Sequence, residues 1–192
     1  MIKERNDVNE SAISAVEQWV KQVVIEENFC PFAKPVEQNG SICYVTTQSN
    51  TLETALMHLI VECERLSESQ QYETTLLIFD KGFKIFDDFL DLMSLADDLI
   101  VEQGYEGVFQ LAHFHPHYCF DGCDEQDAEN YTNRSPFPIL HLLRESSVEQ
   151  GLKSISLPEN IPNRNIRHAR KKGRTFWQSK LKGCFKTELK KD

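Results

Sequence analysis

Between residues 9 and 27 apolar positions return every three or four residues, at Ala12, Val16, Trp19, Val20, Val23 and Val24, which predicts an amphipathic helix. Asn9 or Ser11 offers an N-cap, and Pro31 limits the helix to about Asn28. The period then shortens. Ser41–Thr47 is rich in β-branched and aromatic residues and follows Asn39-Gly40, so it predicts a first strand. A second helix opens at Asn50-Thr51, with Leu52, Ala55, Leu56, Leu59, Ile60, Cys63 and Leu66 on one face. Thr74–Phe79 is a continuous apolar run, as expected of a strand covered on both faces, and Asp80-Lys81-Gly82 ends it. A third helix is predicted from Phe86 to Gln103, stopped by Gly104, and a third strand over Gly107–His113. After a polar stretch from Pro116 to Pro136, a helix is predicted over Pro138–Gln150, with proline in its first turn where a missing N–H costs nothing. A last helix spans Asn163–Lys182, with Gly173 as its weak point.

Strands separated by helices predict an α/β fold. The expected architecture is a small three-stranded sheet, largely parallel with right-handed crossovers, flanked by about five helices. An antiparallel or ferredoxin-like α+β arrangement fits the same spacing. The expected organisation is one domain over 1–162 with a basic C-terminal helix, 163–192, docked on it. A chain of 192 residues can bury a core without disulfides or metal.

Charge changes this picture only at the end of the chain. The net charge is −9, yet from Asn163 onward 11 Lys or Arg face 2 Asp or Glu. The preceding 162 residues hold 10 basic and 28 acidic residues. The tail is therefore read as a helix that neutralises its own acidic body. Nucleic acid is excluded as a partner, because the body would repel phosphates and no stacking motif accompanies the tail. No apolar run approaches the length that spans a bilayer, and the polar, acidic start lacks a secretory pattern, so a cytoplasmic location is expected. The six cysteines contain no Cys-x-x-Cys pair and are read as free thiols.

Candidate chemistry gathers around the stretch from Pro116 to Pro136, long for a loop in a small domain. His113 and His115 are two apart, so on a strand they share a face, and two imidazoles on one face suit a divalent metal. His117, Cys119 and Cys123 could extend the set; the bland alternative is a histidine that hydrogen-bonds the loop. Asn133-Arg134-Ser135-Pro136 precedes the predicted helix. Ser135 would cap it, and Arg134 with the helix start suits a carboxylate or phosphate, or simply pairs with an acid. His141 and Arg144, three apart, would share a face of that helix. Cys30 has apolar flanks and Lys34 as its only near cation, so a buried inert thiol is the default.

Four strings of residues resemble a known family. They are Asn28-Phe-Cys-Pro-Phe-Ala33; Phe114-His-Pro116 with Tyr118 and Phe120; Asn130-Tyr-Thr-Asn-Arg-Ser-Pro136 running to His141-Leu-Leu-Arg-Glu145; and Ile161-Pro-Asn-Arg-Asn165. They look like the bacterial proteins grouped as domain of unknown function 1415. The resemblance implies no activity, but it sorts the candidates. Cys30, His115, Asn130, Tyr131, Asn133, Arg134, Ser135, His141 and Arg144 match its motif positions; His113, His117, Cys119 and Cys123 do not.

The expectation is thus an enzyme acting on a small anionic substrate. His115, His141 and Cys30 are the catalytic candidates; Arg134, Asn130, Asn133, Ser135 and Arg144 are the binding candidates. His113 and His115 are the candidate metal ligands for a divalent cofactor. The alternatives are a non-catalytic module that binds a small ligand or a protein, and a purely structural polar string.

Overall fold

The computed structural model describes residues 2–153 and 155–185, with side chains from residue 10 onward. The first helix, α1 (Ile2–Trp19), continues as a π-helical turn over Val20–Ile25. After a short α2 (Ala33–Gln38) come β1 (Ile42–Thr47), α3 (Leu52–Glu68), β2 (Thr74–Phe79), α4 (Phe86–Glu102) and β3 (Phe109–Phe114). Then follow the long loop, β4 (Ile139–Arg144), α5 (Glu145–Lys153), α6 (Ile161–Lys172) and α7 (Arg174–Gly183).

The sheet has four strands in the order β1-β2-β4-β3. β1 and β2 pair in parallel, but β4 lies between β2 and β3 and runs antiparallel to both. The three expected strands do point the same way, while two of the three pairings are antiparallel. The fourth strand is the correction. Ile139-Leu-His-Leu-Leu-Arg144, expected as helix, is strand, and only Glu145 onward is helical. The reason is burial on both faces: Ile139 and Leu140 are fully buried and point to opposite sides. Only the two-residue alternation of a strand sends neighbouring side chains into cores on opposite faces of the sheet.

α3 and α4 cover one face of the sheet. Their apolar stripes (Ala55, Leu59, Cys63 and Leu66; Phe89, Leu92, Met93 and Ala96) close a core with Leu77, Phe79, Phe109, Leu140 and Leu142. Thr51 caps α3, its hydroxyl accepting the Thr54 N–H at 3.3 Å. The other end of α3 is capped from the sheet, where the Arg144 guanidinium donates to the carbonyls of Leu66, Ser69 (2.7 Å) and Tyr72 (3.4 Å). Gly82 follows β2 because the chain passes the Ser49 carbonyl so closely that a Cβ there would lie 2.0 Å from its oxygen.

The other face packs against α1, α6 and α7, with Trp19, Phe29, Ile78, Ile139, Ala169 and Trp177 in the core. The basic tail forms two helices rather than one, broken at Gly173, whose φ of 79° suits glycine. Lys172 and Lys180 form ion pairs with Glu27, which also hydrogen-bonds His168, and Arg170 pairs with Glu129 at 2.5 Å. The last seven residues of the expected tail lie outside the described ones. Among the described residues no helix is long and apolar enough to cross a membrane.

Candidate functional site

The polar loop is held by its own side chains. Asn130 is fully buried; its Oδ1 accepts the Phe120 N–H at 3.0 Å, and its Nδ2 donates to the Asp124 carbonyl at 2.8 Å. Arg134 donates from Nε to the Tyr118 carbonyl (2.9 Å) and from a terminal nitrogen to the Glu125 carbonyl (2.8 Å), with its guanidinium 4.8 Å from the Tyr131 ring centre. Its own carbonyl accepts the Trp19 indole N–H at 3.0 Å, tying the loop to α1. Ser135 caps no helix, because none begins there; its hydroxyl donates to the Phe137 carbonyl at 2.5 Å.

His115 is equally committed. The backbone N–H of His117 donates to its Nδ1 at 3.0 Å, so the ring proton sits on Nε2 and is given to the Phe83 carbonyl at 2.9 Å. The ring is fully buried against Phe86 and Phe89, and burial pushes its pKa down to about 4. His113 packs against the same Phe89 ring, as the two-residue spacing implies, and burial also lowers its pKa. Coordination of a metal by His115 would break one of its two hydrogen bonds. Among the described residues, the potential ligand atoms that the fold does bring together belong to Cys123, Asp127 and Glu129, all within 4.8 Å of one another. Arg170 already supplies their positive charge through Glu129. Asp127 and Glu129 lie too far from the histidines in sequence to have been grouped with them.

His141 stands apart from all of these. It pairs across the sheet with Ala112, whereas His113 and His115 face α4, so His141 and His115 lie on opposite faces. Being on a strand, His141 and Arg144 also point oppositely, and the Arg144 guanidinium is engaged at the end of α3. The expected site of Cys30, His115, Arg134 and His141 therefore divides. His115 and Arg134 belong to the loop, while His141 and Cys30 line one cavity.

That cavity, of about 330 Å³, lies on the sheet between β3, β4, α2, α5 and the π-helical turn. Its walls are largely apolar: Trp19, Val20, Val24, Phe32, Val36, Ile42, Leu76, Ala112, Phe114, Leu143 and Val148. The Phe32 ring closes one side by packing on Gly151 of α5, where a Cβ would come within 2.7 Å. Glu73, Thr74, Gln110, His141, Arg144 and Ser147 supply the polar part of the wall. The Thr74 hydroxyl donates to the Leu142 carbonyl at 2.6 Å, so at 2.8 Å from His141 Nε2 it must accept, which places the ring proton on Nε2. Nδ1 of His141 is then a bare acceptor with no partner among the described residues. Burial pushes this imidazole down to about 4, so it is neutral at pH 7. The Cys30 thiol is pushed up by burial, only partly offset by the N–H groups of Phe32 and Ala33 and by the Arg164 charge.

A second cavity, of about 290 Å³, abuts the first and shares Val24, Cys30 and Phe114 with it. Its wall draws on all four strings of the resemblance: Phe29 and Cys30 from the first, Phe114 and Phe120 from the second, Thr132 and Asn133 from the third, and Ile161, Pro162 and Asn165 from the fourth. Segments more than 130 residues apart in the chain thus meet at one place.

The model of a family of proteins of unknown function, domain of unknown function 1415, matches residues 11–179. The chain belongs to this family. The matched span takes in all four strings and every element from the middle of α1 into α7, so the residues lining both cavities lie within it. No curated protein and no solved structure matches the chain.

Proposed function

We propose that this member of the family binds a small, mainly apolar molecule in the cavity lined by Cys30 and His141, and that His141 Nδ1 accepts a hydrogen bond from it. The supporting observation is the unpartnered Nδ1 in a largely apolar wall. Cavities of this volume suit small ligands, whose orientation is set by a few polar groups. The shared cavity of Cys30 and His141 also favours a second reading, thiol catalysis with His141 as base. The electrostatics oppose it. Burial raises the thiol above its usual value and lowers the imidazole to about 4, so both shifts oppose moving the proton from sulfur to nitrogen. Binding is the reading this environment favours.

The test uses 1-octanol as probe and Ala112→Phe as the variant. Ala112 stands beside His141 on the cavity wall, and a ring there fills the space without touching the loop. Saturable binding by titration calorimetry, weakened at least tenfold in the variant with an unchanged circular dichroism spectrum, is the expected result. Equal affinity in the two proteins contradicts the proposal.

A further inference from the structure

We propose that the second cavity is a ligand site of its own, separate from the one beside His141, and that it takes a small neutral aromatic molecule whose carbonyl oxygen meets the side-chain amide of Asn133. Val24, Cys30 and Phe114 line both cavities, so they form a wall that divides them. The two sides of that wall differ in charge. The first cavity includes Glu73, His141 and Arg144, whereas among the described residues no Asp, Glu, Lys, Arg or His lines the second. A charged ligand there would give up its hydration with no ion pair in return, so the site favours a neutral one. Its volume of about 290 Å³ exceeds the roughly 150 Å³ that suffices for benzene, which leaves room for a substituent on the ring.

The aromatic preference comes from three phenylalanines. Phe29, Phe114 and Phe120 line the cavity, and each already packs against another ring. Phe29 meets Trp177 with centroids 5.0 Å apart, Phe114 meets Trp19 at 4.8 Å, and Phe120 meets Tyr118 at 4.9 Å. Rings held in this way lose little freedom when a flat ligand packs on them. The polar part of the wall narrows to one group. Asn165 is committed: its Nδ2 donates to the Phe29 carbonyl at 2.7 Å, and its Oδ1 accepts from Arg164 at 2.9 Å. The Thr132 hydroxyl is shared between the Glu129 carbonyl at 2.9 Å and Asn133 Oδ1 at 3.0 Å, so it holds that oxygen of the amide. Asn133 Nδ2 is left with no partner among the described residues. An unspent N–H donor in a neutral aromatic wall selects a ligand that carries an acceptor, such as a ketone oxygen.

The experiment titrates the full chain with acetophenone by calorimetry, beside toluene, benzoate and benzylamine. Saturable acetophenone binding is expected, with benzoate and benzylamine weaker by about tenfold or more. Ile166→Trp, which fills the second cavity from α6, should weaken acetophenone by about tenfold or more, whereas Ala112→Phe in the first cavity should leave its affinity unchanged. If Ile166→Trp fails to fold, intermolecular NOEs on the wild type locate the ligand. Contacts to the Ile161 and Ile166 methyl groups support the proposal; contacts confined to Ala112 and Val148 overturn it. Asn133→Leu should weaken acetophenone about fivefold and leave toluene unchanged, as expected for the loss of one neutral hydrogen bond. Equal effects on the two ligands overturn the assignment of the carbonyl to Asn133. Absence of acetophenone binding, or benzoate or benzylamine binding as tightly, overturns the proposal and leaves the reading of the first cavity to its own octanol test.

Discussion

The loop around Arg134 and the cavity around His141 invite opposite readings in sequence and in space. The loop is dense in Asn, Arg, Ser and His, the residue types of active sites. In the fold nearly every one of those groups is engaged. Asn130 bridges Phe120 and Asp124, Arg134 bridges Tyr118 and Glu125, and His115 bridges Phe83 and His117. The cavity has few polar atoms, yet one of them, His141 Nδ1, has no partner. A hydrogen-bonding group that the fold already satisfies has little left for a ligand. What separates the two regions is where the free group points: Asn130, Arg134 and His115 are spent on backbone groups, whereas His141 lines a cavity with its Nδ1 unpartnered.

The largest expected effect breaks the loop. Arg134→Ala should cost about 3 kcal/mol in urea unfolding, because the carbonyls of Tyr118 and Glu125 lose their donor inside the protein. If Arg134 instead served a ligand, the variant would stay close to wild-type stability. Arg144→Ala should cost about 2 kcal/mol in the same unfolding measurement by uncapping α3.

Acid sharpens the comparison. His115 and His141 both hold their pKa near 4 when folded, against about 6.5 in the unfolded chain. Between those values the unfolded chain binds protons that the folded one refuses. Their neutral forms therefore favour the fold fully above pH 6.5, and stability falls as pH drops from 6.5 toward 4. Replacing His141 by Gln should flatten part of that fall in melting temperature; an unchanged profile would remove His141 from the account.

The smallest effect concerns the exception to the satisfied end of the sheet. Both carboxylate oxygens of Asp80, just past β2, are buried without a hydrogen-bond partner. Asp80→Asn should raise stability by about 1 kcal/mol in chemical unfolding, since a neutral amide costs less to bury than a carboxylate. A loss of stability would mean that the charge has a partner in solution.

Much of this fold is legible in the chain. The helical stripe of Ala55, Leu59, Cys63 and Leu66 and the apolar run of Thr74–Phe79 each admit one solution, and both formed as their period implies. Ile139–Arg144 was not legible, because a short apolar run after proline suits a helix start and a two-faced strand alike. The error carried into the site. On a helix His141 and Arg144 would share a face; on β4 their side chains point to opposite faces, and although Arg144 lines the cavity that holds His141 and Cys30, its guanidinium is engaged at the end of α3. Cys30 and His141 were both visible as candidates, but their common cavity depends on strand parity and on a crossing of α1, which no spacing encodes.

The most direct test of the cavity against the loop reads the two histidines side by side. Nitrogen-15 spectra of the imidazole rings, recorded during a titration with 1-octanol, resolve Nδ1 of His141 and Nδ1 of His115. The account predicts a saturable shift of His141 Nδ1, with His115 unmoved. A shift at His115 with His141 silent would place the ligand in the loop and contradict it.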